Sequence, residues 1–295
     1  MSGSGEFARW SAGLTMRHVP LAVRRATCRR ILEAIAAGVR VARVGTVDPV
    51  VHVAVGIGGP QEAELIGHAA GRISAPAAAL ANGMLIGAVL PEHDVVSATM
   101  AAVLPAALAV GQEVKARGDE VLLAVVAGHE AACRVARGRY APYAGATGAA
   151  LAAARLMALG PSRGGEAAAI AGGVMRPGPV PDGGTPGLPS GIAAVNAILA
   201  ARLAASGAAG PGSGATQARS PHDPIDVVEG LGALWVCAVP PGERLADHCF
   251  DLDACERLGG PRREARALVA EVRALAFAPS LDSILALTVK VAAGT

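Results

Sequence analysis

The stretch Ser97–Arg137, "SATMAAVLPAALAVGQEVKARGDEVLLAVVAGHEAACRVAR", decides how the fold is read. Its first half is mostly Ala, Val and Leu. It predicts a helix from Ser97 to about Arg117, with Pro105 either kinking it or opening a new first turn. Its second half, "EVLLAVVAGHEAACRVAR", predicts another helix with Asp119 as N-cap. Each apolar run stops at Gly, Pro or a charge well short of the roughly 20 residues that a bilayer span needs. These runs therefore read as buried helices, and no membrane partner is expected.

Working outward, "VRRATCRRILEAIAAGVRVARVG" sets Ile31, Leu32, Ile35 and Val39 on one helical stripe, with Gly38 interrupting it. Helical patterns return in "GATGAALAAARLMAL", "GEAAAIAGGVM", "SGIAAVNAILAARLAAS", "RREARALVAEVRALAF" and "LDSILALTVKVA". The segments Arg176–Gly191 and Ser206–Pro224 read as loops from their Gly and Pro content. Alternation of period two is confined to "PVVHVAV" (Pro49–Val55) and "LWVCAV" (Leu234–Val239). The expected fold class is all-α, a large helical bundle. Residues 1–17 are read as a flexible leader opening on a cloning scar, "MSGSGEF", and residues 18–295 as one domain.

The 295 residues are 52% hydrophobic, but Ala and 38 Gly supply much of that, and small residues let helices approach closely. A net charge of +2 and 2% aromatic residues argue against nucleic-acid binding. Five irregularly spaced cysteines, without a secretory leader, read as reduced thiols in a cytoplasmic protein.

No phosphate loop, nucleophile elbow, H-E-x-x-H or paired C-x-x-C is present. "GIGGP" at Gly56 lacks the βαβ frame of a dinucleotide site. His129 and Cys133, four apart, read as a helix-packing pair rather than two metal ligands. "DHCFDLDAC" (Asp247–Cys255) reads as a polar connector rather than a metal site. Glu92-His93-Asp94 is the best acid/base candidate, since a carboxylate there could orient an imidazole. The alternative is a solvated turn with Asp94 near a helix start.

The blocks "GGPQEAELIG", "AAALANG", "LPAALAVGQE", "LLAVVAGHEAACRVARG", "GATGAALAAARLMALG", "GIAAVNAILAARLAASG" and "VVEGLGALW" occur in the order seen in the MmgE/PrpD family, which the chain resembles from about Val19 to Trp235. That family includes 2-methylcitrate dehydratase, cis-aconitate decarboxylase and iminodisuccinate epimerase. The resemblance implies an all-helical main domain, a homodimer, and no metal or organic cofactor. Family members also carry a second, α/β lid domain after the "EGLGALW" position. Only about 60 residues follow Trp235, so the lid is expected to be absent.

The family's reactive residues do not carry over intact. The His of its "HPG" falls on Ala98, and its "DFDD" run falls on Leu90-Pro91-Glu92-His93. A second His falls near Arg139 or Tyr140. The Lys and His of its "K-x-L-H-x-G" loop fall on Pro186 and Pro189. Desolvating several carboxylates without cationic partners costs several kcal/mol each, so ancestral tricarboxylate chemistry is not expected. The reading is a repurposed cofactor-independent lyase, isomerase or cyclase acting on a hydrophobic natural-product intermediate. His93, Glu92, Asp94 and Tyr140 are its candidate catalytic residues. Asn82, Met84, Leu90, Arg139, Tyr143 and Thr147 are its candidate substrate contacts. The alternative is a catalytically inactive helical dimer that binds or scaffolds.

Overall fold

The computed structural model describes residues 3–90, 94–136, 141–175, 184–211, 228–237 and 261–293, with the backbone alone at 3 and 141–143. Eleven α-helices carry these residues: α1 (Gly3–Gly13), α2 (Leu21–Val44), α3 (Asp48–Ile57), α4 (Ala75–Gly87), α5 (Val95–Glu113), α6 (Gly118–Val135), α7 (Ala141–Leu156), α8 (Gly160–Val174), α9 (Leu188–Ala205), α10 (Arg262–Arg273) and α11 (Asp282–Ala293). Among the described residues the only strands are two of two residues each, β1 (Ala63–Glu64) and β2 (Arg72–Ile73). They are antiparallel, with Ala63 opposite Ile73. The expected all-α bundle is what forms.

Helix α5 is the axis of the bundle. It is buried from Ala98 to Gln112, and α4, α6, α7 and α9 pack around it. Pro105 lies inside this helix without ending it. Neighbouring helices hold it by the absence of side chains rather than by large ones. A Cβ added at Gly145 of α7 would lie 2.9 Å from Ala102 Cβ, and one added at Gly83 of α4 would lie 2.8 Å from Gly191 Cα on α9. The α6–α7 crossing is backbone on backbone: a Cβ on Gly128 would meet Gly148 O at 2.5 Å. A chain with few aromatic residues reaches interior density this way.

Helices α5 and α9 are long and apolar enough to cross a bilayer, by length and composition only. α5 is 83% buried inside the bundle. α9 leaves Leu188, Ile192, Leu199 and Leu203 exposed on one face.

Four local expectations are corrected. Residues Gly3–Gly13 are a packed helix, not a flexible leader: Phe7 is 2% exposed and clusters with Ala131, Leu151 and Ala168. "PVVHVAV" lies in α3, where Pro49 occupies the first turn and Val51 and Ala54 face inward at helical spacing. The described part of "LWVCAV", Leu234–Cys237, holds one isolated bridge, from Leu234 to Leu231, and a turn rather than an extended ladder. Helix α6 takes Arg117, not Asp119, as its N-cap residue. It begins at Gly118 because that glycine is pressed onto the C-terminal segment, donating its N–H to Ala278 O at 2.9 Å. Asp119 then sits in the first turn and pairs with Arg117 at 2.6 Å.

The C-terminal helices fold back onto the start of the bundle. α10 and α11 pack on α2. Asp282 pairs with Arg72 at 2.6 Å, and Gly67 N–H donates to Thr288 Oγ1 at 3.0 Å.

Candidate functional site

The helix order sorts the chain into two ends of one bundle. α5 and α6 run antiparallel: His129 touches Val96 at one end, and Val121 lies against Gly111 at the other. α4 and α9 are also antiparallel, with Gly83 against Gly191 and Gly87 against Ser190. One end of the bundle therefore gathers the C-termini of α4 and α6 with the N-termini of α5, α7 and α9. Of the candidate residues and the positions matched by resemblance, Leu90, Asp94, Ala98, Pro186 and Pro189 are described at this end. Glu92, His93, Arg139 and Tyr140 lie outside the described residues, as do Asp247–Cys255.

Asp94 is the N-cap of α5. Its carboxylate accepts Val96 N–H at 3.2 Å and the Ser97 hydroxyl at 2.5 Å, which satisfies a first-turn donor. Ala98 sits one turn further on, buried. Pro186 lies in the turn before α9 and Pro189 in its first turn, with Gly187 between them at φ 71°. That left-handed backbone lets Gly187 lie against Met84 O and Ala88 N at the end of α4. Leu90 is half-buried against the core, Thr147 is buried on α7, and Tyr143 falls in the first turn of α7.

Two expected substrate contacts are committed inside the fold instead. Asn82 is 1% exposed; its amide oxygen accepts Ile66 N–H at 2.8 Å and its amide nitrogen donates to Glu64 O at 3.0 Å. It ties β1 and the following turn to α4, where those backbone groups would otherwise be unpaired. Met84 is 1% exposed and seated on Gly191.

Beneath the α5 N-terminus lies a buried polar layer on α6. The neutral His129 ring donates Nε2–H to Val96 O at 2.9 Å, and burial drives its pKa down to about 4. Burial likewise pushes the Cys133 thiol up to about 12, with Thr99 Oγ1 3.6 Å away. No group of three metal-binding side chains occurs among the described residues; His129 is bonded to Val96 O and Cys133 lies beside Thr99.

One turn on, Glu130 and Arg134 form an ion pair at 2.6 Å with side chains 0% and 4% exposed. Glu130 also accepts Val236 N–H at 3.1 Å and Cys237 N–H at 2.9 Å. Arg134 donates to Glu229 O at 2.7 Å and Leu234 O at 2.5 Å. This pair fastens the strap of residues 228–237 onto α6 and seats Trp235 against Trp10 of α1, ring centroids 5.7 Å apart. The strap's anchor was not anticipated. Its only sequence signal was a Glu and an Arg four apart in an apolar helix.

A comparison with curated proteins found no match. The profile described as the MmgE/PrpD N-terminal domain matches residues 5–219, which runs from within α1 past the end of α9. The chain belongs to the MmgE/PrpD family.

Proposed function

We propose that this chain is a cofactor-independent lyase- or isomerase-type enzyme, a cyclase among the options, acting on a hydrophobic biosynthetic intermediate. The family is dehydratase-like, which supports chemistry based on proton transfer. The observation that carries the reading is the meeting of helix ends at one end of the bundle. Leu90, Asp94, Ala98, Pro186 and Pro189 share that end, where the resemblance puts acids, His and Lys. With Ala and Pro at three of those positions, the described part of the site carries none of the His and Lys that the resemblance puts there, which supports a more apolar substrate than a tricarboxylate.

In this reading His93 is the general acid/base, Glu92 or Asp94 orients it, and Tyr140 or Tyr143 stabilises a developing oxyanion. Arg139, Leu90 and Thr147 are left as substrate contacts. Three described cysteines, Cys28, Cys133 and Cys237, are free thiols, in keeping with a cytoplasmic location. The test is turnover. Neither 2-methylcitrate nor cis-aconitate should react, whereas a panel of apolar hydroxy and alkenoic acids should contain a substrate.

The second reading, an inactive homodimer that binds or scaffolds, draws on two observations. Asn82 and Met84 are closed into the packing. The stripe Leu188, Ile192, Leu199 and Leu203 on α9 is apolar and exposed, and suits a second copy. Sedimentation of the wild type and a Leu199→Glu, Leu203→Glu variant separates dimer from monomer. Turnover separates enzyme from scaffold.

A further inference from the structure

The opposite end of the bundle holds a cleft of about 650 Å³, within the size range of small-molecule sites. α5 has 19 residues, so this cleft lies about 28 Å from the α5 N-terminus. Its apolar floor is Leu123, Leu151 and Ala154, 7%, 2% and 3% exposed. α1 closes one side and brings Ser11.

Arg155 of α7 lines the cleft. Its two terminal nitrogens donate to Ser11 O and, at 2.7 Å, to Leu14 O. A guanidinium has five N–H donors, and these two bonds leave others free. No carboxylate among the described residues stands at ion-pair distance from Arg155; Glu120 acts on it only from further off, partly offsetting the lowering of its pKa by burial. Glu120, on the same wall, turns an oxygen to Arg117 N–H at 2.8 Å and caps α6. The exposed Lys115 adds a second positive charge at the rim.

Ser11 is 3% exposed and its hydroxyl has no hydrogen-bond partner. A buried hydroxyl without a partner is unfavourable, so it calls for an explanation. The backbone also bends at the cleft. Lys115 (φ 55°) and Ala158 (φ 54°) both line it, and they are the only non-glycine residues with positive φ among those described.

We propose that this cleft binds an amphiphilic monocarboxylate, its carboxylate taken by the Arg155 guanidinium and the Ser11 hydroxyl and its apolar body laid on Leu123, Leu151 and Ala154. The cleft is separate from the end of the bundle where catalysis is placed, and the inference stands whether or not that reading holds. The ligand gives Arg155 a carboxylate at ion-pair distance, which no described residue supplies, and gives the Ser11 hydroxyl an acceptor that it lacks among the described residues. It also bridges α1 to α7.

The test is calorimetric titration of the full chain with sodium octanoate, 1-octanol and octylamine, with hydrogen–deuterium exchange to place the ligand. Octanoate is expected to bind one to one, and octanol and octylamine at least about tenfold more weakly, as loss of a charge-assisted bond implies. Protection should fall on residues 8–12 and 154–160. Ser11→Ala removes a hydroxyl with no partner, so it should leave the melting temperature unchanged or higher while weakening octanoate several-fold. Arg155→Gln should abolish octanoate binding. If that variant loosens α1, the Ser11→Ala result and the exchange map still decide. Equal binding of octanol, protection elsewhere, or unchanged octanoate affinity in Ser11→Ala overturns the proposal, as does no binding by the wild type.

Discussion

Replacing Gly128 by Ala tests whether contact between glycine backbones holds this bundle together. The new Cβ would sit 2.5 Å from Gly148 O on α7 and 3.0 Å from Ala152 Cβ. Real Cβ atoms hardly ever come within 3.0 Å of such a neighbour, so the helices must part by at least about 0.5 Å. The obstacle is backbone, which cannot rotate away. Overpacking of this kind costs about 3 kcal/mol, the upper part of its usual range. Ala is the better helix former by about 1 kcal/mol, which leaves a net loss of about 2 kcal/mol. For a domain of this size each kcal/mol moves the melting temperature by roughly 2–4 °C, so a fall of about 4–8 °C is expected. Gly56 in α3 is the control, because a Cβ there meets nothing within 4 Å. Gly56→Ala should gain up to about 1 kcal/mol and melt higher. Differential scanning calorimetry on both variants gives the answer. A Gly128→Ala protein that melts at or above the wild type would refute the close-contact account, because propensity alone would then explain both results.

Further outcomes follow from the buried polar layer. His129 has a folded pKa of about 4 against an ordinary 6.5, so between those pH values the unfolded chain binds a proton that the folded chain does not. Stability should therefore be fully present above pH 6.5 and fall as pH drops toward 4. The loss should be about 2 kcal/mol at pH 5 in urea melts, and the slope should flatten in His129→Gln. Arg134→Ala strands a buried carboxylate and frees the strap carbonyls of Glu229, Gly230 and Leu234. It should cost about 3–5 kcal/mol and shift the fluorescence of the protein's two tryptophans, Trp10 and Trp235, at urea concentrations where the rest stays folded. Burial pushes the Cys28 thiol to about 11, Cys133 to about 12 and Cys237 well up. A thiol-reactive dye should therefore titrate no more than two of the five cysteines quickly in the native protein, and all five in denaturant.

Much of the helical order was legible because small apolar residues recur between Gly, Pro and polar breaks, as in Ser97–Arg137. What stayed hidden depended on partners distant in sequence. Nothing near Asn82 says that its amide serves Ile66 and Glu64 across a turn. Gly118 starts α6 only because Ala278, far along the chain, takes its N–H. The first helix was misread because "MSGSGEF" matches the composition of a cloning scar. Yet Phe7, Trp10 or Ser11, and Leu14 already carried the i, i+3/i+4, i+7 spacing of a packed helix. The family resemblance carried positions rather than side chains. It pointed to Leu90, Ala98, Pro186 and Pro189, which share one end of the bundle, while the cleft that joins Ser11 and Arg155 lies beyond what any local pattern encodes.

The most direct measurement is kcat/KM for the wild type and His93→Ala on the apolar acid of the panel that reacts fastest. If acid/base chemistry is housed at the α5 N-terminus, the wild type turns over at least one such acid and His93→Ala loses about 100-fold or more. A wild type inert toward the whole panel, or a variant that keeps full activity, contradicts it.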